Sequence, residues 1–126
     1  GTYIGSIKTF QYPRCIRFAS NFTFISSYVH TAVAVIKDGL RSPYKIEIPS
    51  RDTVSDIYFS EKTGHVWFSI SGQNIFLVYD PSTGNPIKIV SLPDAIGGQM
   101  KDIMVPNYIV YNSVGSKHLK FFPTNA

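Results

Sequence analysis

The 126-residue chain has one cysteine, one tryptophan, two methionines and two glutamates, and only 16% of its residues are charged, against about 25% in an average soluble domain. The lone Cys15 excludes an internal disulfide, so the core must hold without covalent staples. It also fits a reducing compartment such as the cytoplasm better than an oxidising one, and nothing else in the sequence assigns a location. No stretch approaches the roughly 18 uncharged apolar residues of a membrane-spanning helix, and Gly1 opens the chain without a basic, apolar signal-like start. A membrane is therefore not an expected partner. Blocks of basic charge are missing as well: the 12 lysines and arginines give a net charge of +4 but are scattered from Lys8 to Lys120, whereas a nucleic-acid surface gathers them. Nucleic acid is not expected either. No window carries a 3.6-residue apolar period with capping residues at its ends, and only Pro93 to Gly98 has room for a single helical turn.

What is present is 44% hydrophobic residues, with aromatics making 14% of the chain. Asp56–Ser60, His65–Ile70, Asn74–Tyr79 and Ile87–Leu92 are short runs of β-branched and aromatic residues, the composition of strands. Between them lie Glu61-Lys62-Thr63-Gly64, Ser71-Gly72-Gln73 and Asp80-Pro81-Ser82-Thr83-Gly84-Asn85-Pro86, which supply the residues that turns require. Short loops make consecutive strands antiparallel, so an all-β domain is expected.

The chain also matches itself. Ile16-Arg17-Phe18 aligns with Ile57-Tyr58-Phe59 at an offset of 41, and Asp56-Ile57 with Asp102-Ile103 at 46. Phe22–Ile25 aligns with Val66–Ser69 at 44, and Val66–Phe68 with Tyr108–Val110 at 42. Ala32–Val35 aligns with Ile75–Val78 at 43, and Ile48-Pro49 with Leu92-Pro93 at 44. About three repeats of roughly 42 residues, each a four-stranded antiparallel sheet, are the pattern of β-propeller blades. The expected organisation is a single all-β repeat domain over 1–126: a leading outer strand over 4–10, blades over 16–49 and 56–93, and an incomplete blade over 102–122. The alternative fold is a β-sandwich or jelly roll.

The second repeat carries a resemblance to a known family. Asp56-Ile57-Tyr58-Phe59-Ser60-Glu61-Lys62-Thr63-Gly64-His65-Val66-Trp67-Phe68, then Tyr79-Asp80-Pro81-Ser82-Thr83-Gly84 and a closing Leu92-Pro93, resembles a blade of the YVTN, NHL and lyase-like propeller superfamily. The third repeat has Val105-Pro106 where the second has Phe59-Ser60, and the first has Lys37-Asp38-Gly39 where the second has Asp80-Pro81. No Trp-Asp dipeptide ends a third strand, as a standard WD40 repeat would have. Lyases in the superfamily use a histidine and a glutamate near the central channel. Here Glu47 falls in an outer strand and Glu61 in a turn, so the resemblance brings no catalytic pair.

Other chemistry is equally sparse. His30, His65 and His118 stand too far apart for a local metal motif, and no nucleophile elbow or phosphate loop exists. Cys15 lies in or beside a first strand, where a buried inert thiol is expected. Asp80 offers one carboxylate where a calcium loop needs several oxygens, so a side-chain-capped turn is expected there. No cofactor, metal or catalytic residue is assigned. In the blade arrangement the loops on one face of the disc would carry Tyr28, His30, Arg51, Asp52, Gln73, Gln99, Lys101 and Lys117 as candidate binding residues, since rigid strands position variable loops. Tyr12, Tyr28 and Tyr44 lie in or beside loops and are candidates for exposed contact.

Three blades are too few to close a ring. The functional expectation is a non-catalytic propeller segment that acts as a protein-interaction scaffold, completing its ring with further blades or another copy through open blade edges. The alternative is part of a ligand-binding propeller, for carbohydrate or a small molecule, or of an enzymatic one whose active residues lie partly outside this chain.

Overall fold

The computed structural model describes residues 9–37, 43–73, 75–91, 101–105, 108–112, 117 and 120–124, with the backbone alone for 101–105 and 109–112. These residues are all-β, with no helix among them. Strands β1 (Pro13–Ala19), β2 (Phe22–Ser27), β3 (Ala32–Lys37) and β4 (Tyr44–Glu47) form one four-stranded sheet. A second comprises β5 (Val54–Ser60), β6 (His65–Ile70), β7 (Ile75–Asp80) and β8 (Asn85–Ser91). Strands β9 (Lys101–Val105), β10 (Tyr108–Asn112) and β11 (Lys120–Pro123) form a three-stranded sheet. Every pairing is antiparallel between consecutive strands, so each sheet is a meander. The expected strand over 4–10 and the helical turn over 93–98 fall mostly or wholly outside the described residues.

The composition of each strand follows from its place. Strands β2, β3, β6 and β7 are buried on both faces, which is why Ala32–Ile36 and Ile75–Tyr79 are continuous apolar runs rather than alternating ones. Strands β1, β4 and β8 lie at sheet edges and are largely exposed. The connecting turns use local chemistry. In Asp80–Gly84 the Asp80 carboxylate accepts from the backbone N–H of Ser82 at 2.9 Å, and Gly84 N–H donates to the Asp80 carbonyl at 2.8 Å. Gly84 has φ +76°, a region costly for residues with a Cβ.

Phe22, Phe24, Val33, Val35 and Ile46 of the first sheet form the main core with Ile57, Val66, Phe68, Leu77 and Tyr79 of the second. Phe59 packs its ring against Phe22 at 6.0 Å and Phe24 at 6.1 Å. The opposite face of the second sheet buries Trp67, Phe76 and Val78, and Phe122 of β11 lies against that cluster, 6.1 Å from the Trp67 ring. The backbones approach across sheets through first strands, with β1 and β2 near β5 and β5 near β9.

Strand pairing corrects the alignment of the second strands. Phe24 pairs with Val35, Trp67 with Val78 and Val110 with Phe121, so the same central pair recurs at a uniform offset of 43. The offsets of 44 and 42 expected for second strands are each off by one. A one-residue slip would place equivalent side chains on opposite faces of their sheets: Phe24 and Trp67 each face the following sheet, whereas Phe68 faces the preceding one.

Candidate functional site

The loops at one end of the first two sheets are tied into a continuous surface. Its anchor is Ser27, fully buried at the end of β2. The hydroxyl donates to the Gln11 carbonyl at 3.0 Å and accepts from the backbone N–H groups of Val29 at 3.1 Å and His30 at 3.3 Å. Tyr28 N–H donates to the Tyr12 carbonyl at 3.0 Å, and Tyr12 has φ +53°. Replacing Ser27 with alanine leaves these partners unmatched and is expected to cost about 1–3 kcal/mol. Urea unfolding checks that figure, and faster hydrogen exchange confined to residues 28–30 would locate the effect.

Above this anchor Tyr12 and Tyr28 are exposed. The Arg14 guanidinium lies 5.2 Å from the Tyr28 ring centroid and donates to the Thr53 hydroxyl at 3.3 Å. The Thr53 carbonyl accepts from Ser71 N–H at 2.9 Å within the second sheet, and Ile48 N–H donates to the Thr31 carbonyl at 2.8 Å within the first. Gln73 donates its side-chain amide to the Asp52 carboxylate at 2.9 Å and to the Ser50 hydroxyl at 3.1 Å. Of the predicted binding residues, Asp52 and Gln73 thus form one cluster, and Tyr28 belongs to another built on Arg14. The His30 ring stacks on Phe10 at 5.1 Å. Arg51 lies in the exposed bend before β5, Lys117 is exposed, and Lys101 begins β9. Gln99 lies outside the described residues. Tyr44 is a strand residue at the start of β4, with its hydroxyl donating to the Pro81 carbonyl, so it joins the two sheets.

Sequence reasoning missed Arg14, Thr53 and Ser27, whose roles rest on contacts between distant parts of the chain. It also missed a second cluster on the first strands. Asp56 accepts from Arg17 Nη2 at 2.8 Å, from the N–H of its neighbour Ile57 at 2.9 Å and from Cys15 Sγ at 3.4 Å. The sequence did carry a signal here, because Cys15 and Asp56 stand 41 residues apart, the offset at which the first strands were expected to align.

Burial first, and the Asp56 carboxylate second, push the Cys15 thiol from its ordinary 9.0 up to about 11. The nucleophilic form is the thiolate, so Cys15 is chemically quiet at neutral pH. Thiol labelling at pH 8 is expected to be on the order of tenfold or more slower in the folded chain than in urea, and Asp56→Asn should speed it. Because the folded value lies above the unfolded one, the thiol's contribution to stability is complete below about 9 and is lost as pH rises through about 11.

Among the described residues no three His, Cys, Asp or Glu side chains gather as a metal site requires, and no helix is long and apolar enough to cross a membrane. Asp80 is engaged in capping its own turn. The loop surface offers stacked rings, guanidinium and amide groups, which suit recognition by contact. No model of a known protein family matches the sequence, and no curated protein matches it.

Proposed function

We propose that the chain is a non-catalytic segment of a β-propeller, related to the YVTN and NHL type, that acts as a protein-interaction scaffold and completes its ring with further blades or another copy. One observation carries this reading. Val35 and Val78, equivalent in the strand pairing, are both 0% exposed beneath the following sheet, whereas Phe121, at the same place in the third sheet, is 62% exposed. At the other end, Ile57 is 0% exposed, while Ile16, its equivalent one repeat earlier, is 50% exposed. Both ends of the stack therefore present surfaces that the interior repeats bury, and apolar surfaces of this kind mark association sites.

The meander order of every sheet supports blades over a jelly roll, whose sheets mix non-consecutive strands. Close approach through first strands supports a fan, since blades converge on an axis. The protonated, half-buried Cys15 supports a role without covalent chemistry. Small-angle scattering on the chain tests the architecture. A wedge-like partial disc is expected, and a compact layered body would overturn the propeller in favour of a sandwich.

A further inference from the structure

We infer that the partner is a second copy of this chain, docked head to tail, with Tyr108 and Phe121 of one copy packing on Phe18 and Ile16 of the next. The inference rests on the propeller reading and names what completes it. Its basis is an interface that the chain already contains. Within one molecule, Phe22 of β2 packs its ring on Phe59 of the following first strand at 6.0 Å. Two repeats on from Phe22, in the register of the paired second strands, stands Tyr108, which is exposed and sets its ring edge-on against Phe121 at 6.4 Å. One repeat back from Phe59, in the register of the first strands, stands Phe18, the most exposed of the large apolar side chains among the described residues at 80%.

One molecule thus displays both halves of its own internal contact, unpaired, on its two end sheets. The apolar centre of the outward face of the first sheet is already covered, because Phe10 packs on Ile25, Ala34 and Ile36. The apolar surface that remains open there is on β1, the strand that corresponds to β5 in the internal interface. A surface that matches a different surface on an identical molecule makes a heterologous contact, which closes into a ring when the rotation permits. Two copies of the three described sheets give six, within the four to eight that close a propeller, so a closed dimer of twice 14.1 kDa is expected.

Sedimentation equilibrium tests this. The wild type is expected at twice the chain mass of 14.1 kDa, and Phe18→Asp and Phe121→Asp are each expected at the chain mass itself. An equimolar mixture of the two variants restores one intact contact of the two, so it should recover a dimer that dissociates at higher concentrations than the wild type. Ile89→Asp, at an exposed apolar residue of β8 outside both faces, should leave the dimer unchanged. Far-UV circular dichroism checks that each variant is folded, and Phe18→Ser with Phe121→Ser provides a milder pair. A wild type that stays at 14.1 kDa overturns the inference and leaves these faces to further sheets or a different protein. Continued dimerisation of Phe18→Asp overturns it too, since that result would mean the third sheet pairs with itself. Scattering from the monomeric species separates the two levels: a wedge without dimerisation removes only the second copy, whereas a compact layered body removes the propeller reading as well.

Discussion

Trp67→Ala is expected to lower the free energy of unfolding by about 3–5 kcal/mol, the range for removing a large aromatic from a packed interior. Trp67 is the largest fully buried side chain among the described residues, and it contacts Phe76 of its own sheet and Phe122 of the next. The cavity would open between the second and third sheets, so the loss should fall on their attachment while the Phe22, Phe24 and Phe59 cluster survives. Urea titration followed by far-UV circular dichroism reads the total. Exchange protection of residues 108–112 against residues 22–27 reads the distribution, and equal loss in both would refute this division. Trp67→Phe should be far milder. The indole Nε1–H is buried with no hydrogen-bond partner among the described residues, and removing an unmatched donor offsets part of the lost packing. A phenylalanine variant as damaged as the alanine one would show that ring volume alone governs the site.

Ile57→Asp is expected to prevent folding altogether. Ile57 is fully buried in the cluster between the first two sheets. A carboxylate placed there unpaired carries a desolvation penalty of several kcal/mol, a large part of the roughly 5–15 kcal/mol that holds a domain together. Ile57→Val, which removes one methyl group, should cost only about 0.5–1.5 kcal/mol. The informative comparison is Ile16→Asp, made in the Phe121→Asp background so that association does not enter. Ile16 is the first-strand equivalent of Ile57 but half-exposed, and its change should stay within about 0.5 kcal/mol. Dispersion of amide signals in a proton NMR spectrum separates the outcomes. A folded Ile57→Asp variant would mean that this interface is looser than its burial implies.

The strands were legible because their chemistry is local. The expected runs 65–70 and 56–60 lie within β6 and β5, and the turns at Glu61–Gly64 and Pro81–Gly84 stand where their glycines and hydroxyl residues required. The spacing of corresponding strands was legible in period but not in register. The turn after β5 has four residues where the turn after β1 has two, Ser20 and Asn21. Those two extra residues carry the offset from 41 in the first strands to 43 in the second. Matching aromatic residues by similarity, Phe24 to Phe68, concealed this, because both faces of a central strand are apolar and similarity alone does not distinguish them. The loop surface was partly legible: Asp52 and Gln73 were named and do meet. Arg14 and Thr53 were not, since their meeting depends on how two sheets stack. The exposure of Phe18 and Phe121 is likewise a property of the ends of the stack and leaves no mark on the residues themselves.

The meander order within each sheet also bears on how the chain folds. Each pairing of neighbouring strands closes only a short loop, so the entropy of closure is small and the sheets can form from local contacts. Sheet-to-sheet coupling then passes through the shared core of the first two sheets, to which Phe59 adds its ring against Phe22 and Phe24, and through Phe122 against Trp67 on the other side. In a single copy the three described sheets form a short linear array in which each leans on its neighbour. There the second sheet, held from both sides, is expected to be the last to open.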